Sequence, residues 1–247
     1  MIYSKTLDKQ IVNKSQNYYS NFDYIMHDYM IKKFKPKFSG NNALELGAGD
    51  GNFTTKLDSL FKNLKVIEGS NKSIKYLKKK KLNNTNIIQG DLEDLHNVED
   101  DEKYDNIFLI HTYEHILKRK KLLKNISKKL KKKGKFFLVT PNANAGSRRL
   151  AVKMGIIKKT TSVTWQEKKH GHHVTFDLKK LTKEVKDSGL KILDFGGIFF
   201  KALANFQIDL SLKNKIINKD YLDAGFKLGN EFPELCSSIY VVAKKKQ

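Results

Sequence analysis

The stretch "ALELGAGDGNFT", residues 43–54, decides the fold. An apolar run stops at Leu46, and three alternating glycines follow, Gly47, Gly49 and Gly51, before a segment that reads as a helix start. Glycine costs backbone entropy, so a row of them marks a place where bare main chain is wanted, for a tight turn or a close approach to a ligand. Strand, glycine-rich turn and helix in that order present free backbone N–H groups to whatever binds there. The pattern is E-x-G-x-G-x-G, not the G-x-G-x-x-G that cradles a pyrophosphate, and no G-K-[ST] follows, which excludes a P-loop. Its extra carboxylate, Glu45, is a poor neighbour for an anion and a good one for a cation.

Outward from this turn, short apolar runs alternate with helical periodicity. Strands are expected at 43–46, 64–68, 86–89, 106–111, 135–140, 191–195 and 239–243, with helices over about 52–62, 71–81, 118–131 and 177–188. Such alternation predicts parallel strands joined by crossover helices, with ligands bound beyond the strands' carboxyl ends. The last strand follows a long excursion and is free to enter antiparallel. Three segments stand outside the alternation. Residues 15–38 read as an aromatic-rich helix that caps the domain, whereas 142–175 and 201–235 are too long for simple connections and are expected to wall the substrate side. With three prolines and no low-complexity linker, the 247 residues are expected to form a single domain.

Composition bounds the rest. An apolar content of 39% supports a packed core, and the single cysteine, Cys236, excludes both an internal disulfide framework and a cysteine metal cluster. No apolar run approaches the roughly 18 residues that span a bilayer, and the opening "MIYSKTLDKQ" lacks the layout of a secretory signal, so a cytoplasmic setting is expected. A net charge of +22 suggests nucleic acid. Yet in "KRKKLLKNISKKLKKKGK" (118–135), Leu122, Leu123, Ile126 and Leu130 recur at helical spacing, so the lysines coat the solvent face of an amphipathic helix. Base-stacking aromatics are not interleaved with them, and no specific nucleic-acid partner is expected.

Further motifs follow in order: "VIEGS" (66–70), "IIQGDLEDL" (87–95), "YDNIFLIHTYEHI" (104–116) and "LKKKGKFFLVTPNA" (130–143). With the glycine turn, these resemble the class I S-adenosylmethionine-dependent methyltransferases. The stretch "PNANAGSRRLAVKMGII" (141–157) resembles, more narrowly, small-molecule methyltransferases of bacterial surface-polysaccharide gene clusters. The resemblance implies an α/β, Rossmann-like, seven-stranded and mostly parallel sheet with helices on both faces. It also implies S-adenosylmethionine as methyl donor, leaving as S-adenosylhomocysteine. Cofactor contacts would fall to Glu45, Gly47, Ala48, Gly49, Glu68, Gly69, Asp91, Leu92 and His111. Glu68 would accept both ribose hydroxyls, a pairing suited to a carboxylate. Asp91 matches the family's acidic residue near the adenine amino group and is assigned that role over the helix cap that "GDLED" also permits, whereas His111 reads equally as a structural histidine.

Methyl transfer needs nucleophile, methyl carbon and sulfur held in line, and a general base when the nucleophile is a hydroxyl. "HGHHVTFDLKKL" (170–181) resembles a segment of some relatives through Gly171, His172 and Phe176, and makes His172 the first candidate for such a base, with His115 of the "EH" pair second. H-x-H-H spacing also permits a metal, but no adjacent acidic pair completes its shell, so none is expected. Arg148 and Arg149 carry forks suited to phosphate or carboxylate, and Tyr18, Tyr19, Phe22, Trp165 and His173 are further acceptor-side candidates. The expected reaction methylates an oxygen of a sugar, nucleotide sugar or phosphorylated intermediate of cell-envelope glycan synthesis. Two alternatives stand beside it: an RNA or protein methyltransferase, and a non-catalytic cofactor-binding scaffold.

Overall fold

A computed structural model describes residues 21–97 and 102–246. Its centre is one seven-stranded sheet: β1 (Asn42–Leu46), β2 (Asn63–Glu68), β3 (Thr85–Gln89), β4 (Tyr104–Ile110), β5 (Leu130–Pro141), β6 (Leu190–Phe200) and β7 (Cys236–Lys245), in the order β3-β2-β1-β4-β5-β7-β6. The first five strands pair in parallel, and β7 runs antiparallel to both β5 and β6, as its late arrival allowed.

Side chains along a strand alternate between faces, and both faces here are apolar. On β4, Ile107 and Leu109 enter one core while Phe108 and Ile110 enter the other; on β5, Phe136 and Leu138 oppose Phe137 and Val139 in the same way. The first face is covered by α4 (Arg119–Lys129), through Leu122, Leu123 and Ile126, and by α7 (Leu178–Asp187), through Leu181 and Val185. On α4, Lys120, Lys121, Lys124 and Lys128 are exposed, the solvated basic face read from the sequence. Opposite lie α1 (Asn21–Phe34), α2 (Asn52–Asp58) and α3 (Asn71–Lys78). The long excursions fold into helices too: α5 (Gly146–Lys153) and α6 (Trp165–Lys169) before α7, then α8 (Asn205–Lys213) and α9 (Lys219–Leu228).

Helix α1 is more than a cap. Phe22, Met26, Met30 and Phe34 recur every fourth residue and are fully buried, with the Phe22 ring edge-on to Phe199 at 5.0 Å. Phe22 is therefore part of the core, not of a pocket wall. Elsewhere the expected boundaries move inward or outward for physical reasons. α4 stops at Lys129 because Leu130 pairs with Tyr104, and β5 starts there, five residues earlier than the apolar run suggests. Gly134 permits the irregularity that follows, since a β-carbon there would stand 2.6 Å from the Tyr104 carbonyl. α2 stops at Asp58, whose buried carboxylate accepts from the N–H groups of Asn83 and Asn84 and from the Thr85 hydroxyl, tying it to the start of β3.

Candidate active site

The carboxyl ends of β1, β2, β4 and β5 meet on one edge, and the glycine turn lies there. Gly47, Gly49 and Gly51 have φ of 79°, 59° and 75°, the left-handed region that side chains disfavour. Gly47 also has no room for one: a β-carbon would stand 2.6 Å from Thr112 of the turn after β4. The glycines are thus required first by the turn's own geometry.

Two acids flank this turn, and they differ. Glu68, ending β2, accepts from the N–H groups of Ala48 and Gly49 at 2.9 and 3.1 Å through Oε2, and from Ser70 N–H at 2.8 Å through Oε1. Gly69 lies between these contacts, and the Ser70 hydroxyl caps α3 by accepting from Ser73 N–H. Glu45 is 1% exposed, and its Oε2 has no hydrogen-bond partner among the described residues. Burial pushes its carboxyl up to about 8, with the charges of Glu68 and Asp50 adding to the effect. A buried acid with an unused oxygen beside bare main chain fits the amino-acid end of a cationic sulfonium donor.

Helix α1 buttresses the same turn. The Tyr24 hydroxyl donates to Asp50 at 2.9 Å, and burial with that neighbouring charge raises the phenol to about 12. Asp91 accepts from Glu93 N–H at 2.7 Å, so its side chain caps the short helical turn Leu92–Asn97, and Leu92 is buried in the core. His111 adopts φ 46° at the end of β4, a strained conformation of the kind that collects at functional sites. Its Nε2 is 3.0 Å from the Ser238 hydroxyl, and burial lowers its pKa to about 3, which keeps the ring neutral.

On the acceptor side, the long insertion folds back onto the turn after β4. His173 N–H donates to the Glu114 carbonyl at 3.0 Å, and this seam brings the His172 ring edge-on to His115, centroids 4.6 Å apart. Both candidate histidines, far apart in the chain, are neighbours. Behind the seam, Phe176 is fully buried against Tyr113 at 5.2 Å, and Gly171 takes φ 82°. The Arg148 guanidinium donates to the carbonyls of Thr160 and Ser162 and pairs with Glu167 at 2.5 Å. Glu167 in turn closes a capping box with Thr164 and accepts His172 N–H at its carbonyl. That network engages the fork which an anionic acceptor was expected to meet. Arg149 and His173 are exposed, and Trp165 is 72% exposed with the Lys169 ammonium over its ring. Tyr18 and Tyr19 lie outside the described residues.

Glu167 and Ser238 were not singled out by sequence reasoning. For Glu167 a signal existed, the T-x-x-E of a capping box in "TWQE"; for Ser238, a partner across the sheet, there was none.

The sheet order, the antiparallel last strand and the acid-flanked glycine turn together define the class I methyltransferase fold. The chain belongs to the methyltransferase-domain family, whose profile matches residues 20–194. Solved structures agree on the fold. The N-methyltransferase NodS from Bradyrhizobium japonicum, in complex with S-adenosyl-L-homocysteine, aligns with TM-score 0.61 at 12% identity, over 99% of this chain and 99% of that one. A DhpI-SAM-HEP complex aligns with TM-score 0.64 at 14% identity, over 97% of this chain and 94% of that one. A complex between the Haloferax volcanii Trm112 methyltransferase activator and a methyltransferase gives TM-score 0.61 at 14% identity, over 100% and 97%. No curated protein matches the sequence. Among the described residues, no helix is long and apolar enough to cross a membrane.

Proposed function

We propose that this methyltransferase transfers the methyl group of S-adenosylmethionine to an oxygen of a small acceptor, a sugar, nucleotide sugar or phosphorylated intermediate of cell-envelope glycan synthesis. When bound, the donor supplies a sulfonium methyl already activated for displacement. Glu45 would meet its positive end, the Gly47–Ala48–Gly49 main chain would flank it, and Glu68 with Gly69, Asp91, Leu92 and His111 would line the remainder. Transfer would join the acceptor oxygen to the methyl carbon in place of the sulfur, so the acceptor's hydroxyl proton must be taken up. His172, with His115 beside it, serves that hydroxyl, and the exposed Arg149 and His173 are available to an anionic or polar acceptor.

The observation that carries this reading is the contact between the two imidazoles, of which His115 donates its main-chain N–H to the Thr112 carbonyl while the Thr112 hydroxyl donates to the Gly47 carbonyl. His172→Ala should lower turnover about a hundredfold, as loss of acid–base assistance does, while leaving donor affinity within about twofold. A methyl-release assay across an acceptor panel, paired with calorimetry of donor binding, checks both halves. Unchanged turnover removes His172 from the chemistry.

A second reading, methylation of RNA or protein with an activator subunit, is favoured by the net charge of +22 and by the likeness to the Trm112-bound enzyme. It requires methyl transfer to RNA or protein. Affinity for RNA that collapses steeply with salt and yields no methylated product is non-specific attraction alone.

A further inference from the structure

Where the insertion meets the turn after β4, three side chains with different chain addresses converge. One ligand atom each from Glu114, His115 and His172 lies within 4.8 Å of the other two. Glu114 is 2% exposed, the two histidines are half-buried, and Glu114 and His172 line a small recess that Arg148 and Glu167 also border. From this convergence we propose that Glu114, His115 and His172 form a binding site for a divalent first-row transition metal, of which Zn²⁺ is the best fit.

Three features argue for a metal over a simple hydrogen-bonded cluster. A shared proton joins two groups, whereas a metal ion takes all three donors at once and leaves positions open towards the recess. Two imidazoles with one carboxylate form a donor set that zinc uses where it keeps an open position, and nitrogen donors select against magnesium. Ligands on a tetrahedral zinc at about 2.1 Å stand roughly 3.4 Å apart, so the three donors, within 4.8 Å of one another, exceed that spacing by no more than about 1.4 Å.

The supporting shell is already fixed. His173 N–H holds the Glu114 carbonyl, and His172 N–H holds the Glu167 carbonyl, with Glu167 itself clamped by Arg148 and the Thr164 cap. These main-chain contacts fix the backbone from which the Glu114 and His172 side chains project. A chain carrying a net +22 also repels cations at long range, so a site that captures one must be specific. The metal assignment stands on these residues alone. Its catalytic consequence rests on the proposed acceptor chemistry: an ion there would lower the pKa of the acceptor hydroxyl, so that the help the two histidines give its deprotonation would be delivered through the ion.

The test is metal binding by the full chain, stripped with a chelator and dialysed. Titration with Zn²⁺ against a chromophoric chelator should show one site per chain, tighter than Mn²⁺ and not displaced by millimolar Mg²⁺. X-ray absorption should show two imidazole nitrogens. His115→Ala and His172→Ala should each weaken binding at least tenfold, whereas His170→Ala, altering a histidine outside the cluster, should not. Glu114→Gln should do the same, and because Glu114 is buried its folding is checked by thermal melting; the histidine variants decide the matter if it fails to fold. No saturable site tighter than about 100 µM, equal loss in His170→Ala, or displacement by Mg²⁺ overturns the proposal. Donor binding is measured in parallel on the metal-free chain, so failure of the methyltransferase reading shows there and failure of the metal site shows here.

Discussion

Glu68 reaches Ala48 and Gly49 across about twenty residues of chain, whereas His172 reaches His115 across nearly three times as many. The donor side of the edge is built from consecutive strand ends, β1 then β2, and its contacts are main-chain amides meeting one carboxylate. The acceptor side is built from a turn and an insertion that share no element, held together by one backbone seam and an arginine network. A side built from neighbouring elements has a fixed spacing and can be recognised as a motif; a side built from distant ones cannot.

That contrast can be broken, and the largest effect on donor affinity belongs to the donor side. Glu68→Ala deprives three backbone N–H groups of a charged acceptor, and donor affinity measured by calorimetry should fall at least tenfold. Affinity within twofold of the parent would show that the turn holds its shape without the acid. On the acceptor side, Arg148→Lys removes the planar fork that joins Thr160, Ser162 and Glu167. Losing about 1.4 kcal/mol of local stability would speed amide exchange over residues 160–173 by about tenfold, with the glycine turn unaffected. Equal acceleration on both sides would mean that the two regions open as one unit.

The smallest effect is a pH dependence. In the free protein, Glu45 titrates near 8, so at neutral pH it is mostly protonated, and a cationic ligand must release that proton to pair with it. Donor affinity should therefore rise about fivefold from pH 7 to pH 8 and lose this slope in Glu45→Gln, with proton release visible as a buffer-dependent binding heat. Stability of the unliganded fold runs the other way: the raised carboxyl stabilises it below its ordinary value of 4.5, and that contribution fades as pH climbs through 8. A slope retained in Glu45→Gln assigns the proton to another group.

Particular residues show why legibility was uneven. The alternation of apolar runs located every strand, because a strand buried on both faces must be apolar throughout, as β4 and β5 are. Asp91 satisfied two local readings at once, and the structure shows its Oδ1 accepting from Glu93 N–H. Helix α1 lies within the aromatic-rich segment 15–38 read as a cap, and its Met26, Met30 and Phe34 are buried in the core on one face of the sheet. The sequence places no acid beside the H-x-H-H run of 170–173, and only the fold brings the Glu114 carboxylate, from the turn after β4, close to His172.

Read alone, the sequence determined the sheet, the glycine turn and the two acids that flank it, since these follow from hydrophobic period, backbone sterics and spacing between neighbouring strands. Only the tertiary structure decided what the histidines meet, where the Arg148 fork is engaged and which oxygen of Glu45 has no partner. Those are contacts between segments whose separation the chain leaves open, fixed by burial and hydrogen bonding once the insertion packs against the edge.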